Sequence, residues 1–217
     1  MSRITKKLKL PALDLICRDD HPAYSAPIIG IKYQQFRGEK CFIATDGHIF
    51  ACFNAKSLKI EVKCSINKVI PRRAWTEFRK ANRVELLEDS ISIMYEDGFQ
   101  VNVGYVSEDR YNYKNEKISL YIKEDTDMFS SDKIFSGGRN TSFFDMDVFH
   151  KASKILCFDK SKNEVFHYSS ENKPNLLLAE ASPDRFCIVM PCNKENVRHM
   201  DSSSFVRDIL REDKIPF

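Results

Sequence analysis

The sequence is poor in the residues that mark unusual chain classes. Glycine fills only 7 and proline only 8 of 217 positions, which excludes collagen-like and Pro/Gly low-complexity chains. No uncharged apolar run approaches the roughly 18 residues that a membrane helix needs. The N-terminal stretch Met1-Ser-Arg-Ile-Thr-Lys-Lys-Leu-Lys-Leu10 is basic, but Pro11 and Asp14 break it before a signal-peptide core forms. None of the seven cysteines forms a C-x-x-C, and the close pair Cys187 and Cys192 has no matching second pair. A zinc site is therefore not indicated, and several cysteines sit in apolar strand-like runs where a thiol packs as a small hydrophobe. The expectation is free, buried thiols in a reducing compartment, with no metal and no cofactor.

What is present suffices for a core: 42% of residues are apolar, including 16 Phe. Global disorder is excluded on that composition, and a soluble, cytoplasmic protein of one large or two small domains is expected. The net charge of +3 hides an asymmetry, because residues 1–83 hold 17 Lys/Arg against 7 Asp/Glu while residues 84–217 hold 17 against 24. A basic front half points toward a polyanionic partner.

Punctuation recurs along the chain. Lys7-Leu-Lys-Leu10 reads as a short strand, followed by a short helix from Pro11 to Arg18. Lys68-Val-Ile-Pro71 then leads a helix over 72–81, and Thr141-Ser-Phe-Phe144 leads one over 145–156 with Asp145 at the N-cap. Strand pairs follow: Cys41-Phe-Ile-Ala-Thr45 with His48-Ile-Phe-Ala-Cys-Phe53, and Ile91-Ser-Ile-Met-Tyr95 with Phe99-Gln-Val-Asn-Val103. Asp46-Gly47 and Asp97-Gly98 join them, and Asp-Gly suits a type I′ turn, with positive φ at both central positions. Strands at 164–168, 175–179 and 186–190 form a third set around a Ser182-Pro183-Asp184 turn. The pattern is a strand–helix–antiparallel-strand unit of roughly 50 residues, repeated. It predicts an α+β fold with helices on one face of the sheets. The boundaries read as a domain at 1–105, a polar connector at 106–140, a half-domain at 141–192 and a charged tail at 193–217.

Wound at 100° per residue, positions 72–83 put Ala74, Trp75, Phe78 and Ala81 on one side. Arg72, Arg73, Arg79, Lys80 and Arg83 fall on the other, a basic stripe suited to phosphates. A weaker version sets Lys151, Lys154 and His150 opposite Val148, Phe149, Ala152, Ile155 and Leu156. For catalysis the candidates are thin. Asp46 and His48 form a conceivable acid–base pair, against the plainer reading of Asp46 as a turn residue. Glu124-Asp-Thr-Asp127 is a conceivable metal cluster, and Ser136-Gly-Gly-Arg139 lacks the Lys-Ser/Thr of a phosphate loop. No nucleophile carries a local signature, so the chain reads as a non-enzyme.

Ala44-Thr-Asp-Gly-His-Ile-Phe-Ala51, followed by Val69-Ile-Pro-Arg-Arg-Ala-Trp-Thr-Glu-Phe78, resembles the middle domain of the bacterial sliding clamp, the beta subunit of DNA polymerase III. Phe186-Cys-Ile-Val-Met-Pro-Cys192 resembles that family's C-terminal strand. The resemblance covers 1–105 and 141–192 and implies a DNA clamp-like fold. It also implies a hydrophobic pocket binding short peptides of polymerases or other DNA-processing partners, built from Thr45, Gly47, His48, Ile49, Phe50, Val189, Met190, Pro191 and Cys192. The helices carrying Arg72, Arg73, Arg79, Lys80, Arg83, Lys151 and Lys154 would then face double-stranded DNA.

The departures are equally specific. Set against that resemblance, the family's first domain and half of its third are expected to be missing, so two copies would not close its ring, and the oligomeric state is left open. The Tyr-Pro-Asp stretch is missing, with Tyr111-Asn112-Tyr113 near its place, and Ile49-Phe50 replaces the usual Arg-Leu. The implied role is a clamp-like replication or repair protein. The alternatives are a decoy or adaptor that binds clamp partners without encircling DNA, and a plain DNA-binding α+β protein.

Overall fold

A computed structural model describes residues 8–17, 30–36, 38–46, 48–107, 145–159, 164–170, 173–182 and 184–189, with backbone alone for 164–182. The runs flanking both Asp-Gly pairs are antiparallel neighbours. β2 (Glu39–Thr45) pairs with β3 (Ile49–Asn54), setting Ala44 opposite Ala51 and Thr45 opposite Phe50. β7 (Ile91–Met94) pairs with β8 (Gln100–Val103).

The second turn departs from the type I′ expectation. Gly98 has φ +83°, whereas Asp97 is not among the positive-φ residues. The Gly98 N–H donates to the Tyr95 carbonyl at 3.1 Å and the Tyr95 N–H to the Phe99 carbonyl at 2.9 Å. That is a three-residue loop ending in a left-handed glycine, the next commonest hairpin after the two-residue form. The Asp97 carboxylate, at the second central position of the Tyr95–Gly98 turn, accepts the Phe99 N–H at 3.0 Å and braces the loop.

Seven strands form one sheet in the order β5-β1-β2-β3-β11-β10-β9. Its members beyond the β2–β3 pair are β1 (Ile31–Phe36), β5 (Lys68–Ile70), β9 (Glu164–Ser170), β10 (Lys173–Ser182) and β11 (Arg185–Val189). The seam is the antiparallel β3–β11 pair, with Val189 opposite Ile49 and Arg185 opposite Phe53. The sheet therefore runs unbroken from the expected 1–105 domain into the expected 141–192 half-domain. A smaller sheet, ordered β4-β6-β7-β8, adds β4 (Glu61–Val62) and β6 (Arg83–Leu86).

Both sheets bury one face in a single core reaching from Leu10 to Val189. Two helices among the described residues pack onto it. α1 (Arg72–Phe78) follows Pro71 and inserts Ala74, Trp75 and Phe78. Trp75 has no exposed surface, packs its ring 5.3 Å from those of both Phe42 and Phe78, and donates Nε1–H to the Pro11 carbonyl at 2.7 Å. α2 (Met146–Leu156) inserts Ala152, Ile155 and Leu156 and packs against β11, β10 and β3. Its cap is as expected: the Asp145 carboxylate accepts the Asp147 and Val148 N–H groups, which otherwise have no partner in the first turn.

Three expectations are corrected. Residues 8–10 form no strand, and the helix expected from Pro11 is a single 3-10 turn, Leu13–Leu15. The 72–81 helix ends at Phe78, and Arg83 opens β6. No helix among the described residues is long and apolar enough to cross a membrane.

Candidate functional site

The β2–β3 turn is organised by one carboxylate. Asp46 Oδ1 accepts the His48 N–H at 2.9 Å and the Ile49 N–H at 2.8 Å, a local closure that Asp side chains favour. Asp46 Oδ2 takes the Lys151 ammonium at 3.0 Å, from α2. Both oxygens are thus committed, and the acid–base pairing of Asp46 with His48 gives way to the turn-residue reading.

Of the pocket residues implied by the resemblance, Thr45, His48, Ile49, Phe50 and Val189 are described. Gly47, Met190, Pro191 and Cys192 lie outside the described residues. The β3–β11 seam brings the two motifs side by side, but the pleat divides their side chains. Ile49 and Val189 face the main core, with 1% and 0% of their surface exposed, and present no free wall. Phe50 points to the opposite face and His48 is exposed. On that opposite face Phe36, Cys41, Ile43 and Cys52 make a second, smaller cluster with Phe50 and Phe186 packed against it. The Phe36, Phe50 and Phe186 rings lie 6.0 to 6.2 Å apart. Alternation along β3 and β11 could have shown this division, since residues two apart share a face.

The thiols behave as structural groups. Burial pushes the Cys17 and Cys187 thiols far up, so neither is a nucleophile at neutral pH. The Cys52 hydrogen bond holds Cys41 below its ordinary value, against the opposing effect of burial. Among the described residues no group of three His, Cys, Asp or Glu is placed to hold a metal. Residues 124–127, 136–139 and 111–113 lie outside the described set.

The residues of the basic stripe have different partners. Arg72 Nε donates to the Asp14 carbonyl at 2.8 Å, and Arg79 Nη2 bonds the buried Asp14 carboxylate at 2.8 Å, with Thr76 Oγ1 donating to the same oxygen at 3.1 Å. Lys80 pairs with Glu77 at 2.7 Å. Arg83, placed on the helix by its wheel position, instead clasps Glu61 from β6 through Nε at 3.1 Å and Nη2 at 2.9 Å. Exposed Arg73 and Lys154 have no ion pair among the described residues. Sequence patterning also gives no hint of a surface hollow lined by Lys80, Tyr95, Glu96, Asp97 and Phe99. There the Phe99 ring, 61% exposed, stacks 6.1 Å from that of Tyr95. An alternating strand pattern does not say which apolar residue will stay in water.

The class defined by this arrangement is an α+β protein whose described helices and sheets share one core. No known family pattern matches the chain, and no curated protein matches it. Among solved structures it is similar to DNA polymerase III subunit beta from Borrelia burgdorferi. That pair shares 10% identity over 89% of this chain and 66% of the other, with a TM-score of 0.49. It is also similar to subunit beta from Pseudomonas aeruginosa (13% identity, 83% and 62% coverage, TM-score 0.49) and to the sliding clamp of Bacillus subtilis (12%, 89% and 66%, 0.40). The chain spans less than two thirds of the length of each.

Proposed function

We propose that the chain is a non-enzymatic, sliding-clamp-like protein of DNA replication or repair that docks an extended peptide beside the 46–50 turn. The observation that supports it is the β3–β11 seam, which makes the Thr-Asp-Gly-His turn and the Phe186–Val189 strand neighbours although they lie far apart in sequence. Since Ile49 and Val189 are spent on the core, His48 and Phe50 are the described residues left to the docking surface. The partners are polymerases or other proteins carrying clamp-binding segments, recognised by apolar side chains and backbone pairing.

Titrating a fluorescent clamp-binding peptide tests this. Saturable binding in the micromolar range, weakened at least fivefold by His48→Ala or Phe50→Ala, supports it. No binding at high micromolar peptide rejects it.

The basic helix side is the proposed face toward double-stranded DNA, with Arg73 and Lys154 as the residues that meet phosphates. Duplex binding at low salt should weaken with rising salt. Arg73→Met with Lys154→Met should lower the salt slope by about two, close to one for each phosphate no longer neutralised. Molecular mass in solution separates a ring from a decoy or adaptor. A monomer that leaves DNA unprotected from nuclease excludes encirclement.

A further inference from the structure

Seven basic residues are candidates for the DNA face, and Lys151 is among those that the fold commits to another partner. Lys151 sits on α2 beside Ala152, which is fully buried, so the helix position is fixed by the core. Its ammonium meets Asp46 Oδ2 at 3.0 Å, with 35% of the lysine side chain and 13% of the aspartate side chain exposed. The other oxygen of the same carboxylate receives the His48 and Ile49 N–H groups. A largely buried carboxylate that orders a turn needs a counter-charge, and α2 supplies it from across the chain. Lys154, one turn later on the same helix, is exposed and makes no ion pair among the described residues. The two lysines are thus an internal comparison: same helix, same charge, different surroundings.

We infer that Lys151 is a positioning residue for the 46–49 turn, a latch that holds Asp46 in the rotamer that closes the turn, and not a phosphate ligand. The consequence for peptide docking rests on the reading given above; the latch itself does not. His48, whose N–H is held by the latched carboxylate, is the exposed member of the proposed docking surface. Its side-chain direction therefore depends on a helix that the peptide need never touch.

The test is residue-resolved amide hydrogen exchange on the full chain, paired with peptide titration, for Lys151→Met, Lys151→Arg, Lys154→Met and Asp46→Asn. Lys151→Met is expected to speed exchange at His48 and Ile49 about tenfold, the scale of one charge-assisted hydrogen bond. Lys154→Met should leave both amides within about twofold of the parent, and Lys151→Arg should recover most of the protection. If Lys151→Met does not fold, Asp46→Asn decides. It keeps a carbonyl acceptor for the two amides but loses the charge, so faster exchange supports the latch. Exchange unchanged in the folded Lys151 or Asp46 variant overturns the latch. Faster exchange in Lys151→Met, with a parent protein that binds no peptide, upholds the latch and removes the docking reading. Peptide affinity that falls with Lys151→Met and not with Lys154→Met supports both.

Discussion

Arg185 and Asp159 meet as two parallel hydrogen bonds, Nη1 to Oδ2 at 3.0 Å and Nη2 to Oδ1 at 3.1 Å, pinning the first residue of β11 to the segment that leaves α2. The guanidinium also lies over the Phe158 ring at 5.1 Å and keeps only 10% of its side-chain surface exposed. Asp159→Asn is expected to cost about 2 kcal/mol, the scale for a charge-assisted pair that leaves one partner buried. For a chain of this length that is roughly 4–8 °C in Tm. Arg185→Lys should fare no better, because an ammonium cannot span both oxygens and stack on the ring. Thermal melts that are unchanged in both variants would show that other interactions fix β11.

The single tryptophan is both anchor and reporter. Trp75→Phe deletes the bond to the Pro11 carbonyl and leaves a gap between Phe42 and Phe78, at an expected cost of about 2–4 kcal/mol. In the parent, urea unfolding should shift Trp75 emission to the red in one step with the loss of circular dichroism. Separate transitions would mean that the core around α1 is not continuous with the rest.

Acid should loosen the smaller sheet first. Hydrogen bonds from Arg83 hold Glu61 at about 2, and hydrogen bonds from Ser65 and Lys68 hold Glu88 at about 2, against an ordinary value of 4.5. Both are depressed in the fold, so their contribution is present above pH 4.5 and is lost as pH falls from there toward 2. Glu61→Gln with Glu88→Gln should lower the urea midpoint at pH 7 and flatten its decline across that window. A double variant with the parent's full acid slope would assign the dependence elsewhere.

Among the described glycines, Gly30 is the one whose replacement meets backbone directly. Its φ is +74°, and a Cβ there would press on the Ile70 carbonyl across the β1–β5 pair. Gly30→Ala should destabilise by about 2–4 kcal/mol, combining left-handed strain with a clash that no side chain can relieve. Gly98→Ala has the same sign of φ but open space around it, and should cost about 1 kcal/mol. Equal costs at the two sites would refute the clash.

Local signals carry much of the fold. The Asp-Gly turns, the Asp145 cap and the alternation of β7 and β8 are legible because each is settled within a few residues. β1 is harder to read: Gly30 and Gly38, both at positive φ, bracket it and Ile31 and Tyr33 alternate into the core, but exposed Gln35 and buried Phe36 break the alternation. Arg83 lands on the wrong element because a helical wheel continues past Phe78, where the helix ends, although Asn82 after Arg79-Lys80 is a stop signal. The candidate site is partly legible for a similar reason. Two motifs can be read in sequence, but which residues of each face the core depends on the pleat of strands paired across most of the chain. The Lys151–Asp46 pair has no sequence signal at all.

The seam of the large sheet carries a cost in time. A ribosome releases β3 long before β11 exists, so the open edge at 49–54 waits, able to pair with any extended chain that passes. Ordering it demands closure of a loop that spans most of the polypeptide, which makes for slow folding. Newly made copies are therefore most vulnerable to one another in the interval before residue 185 emerges. Keeping fewer of them in that state at once, by cooling or by slower expression, is the natural route to more native protein.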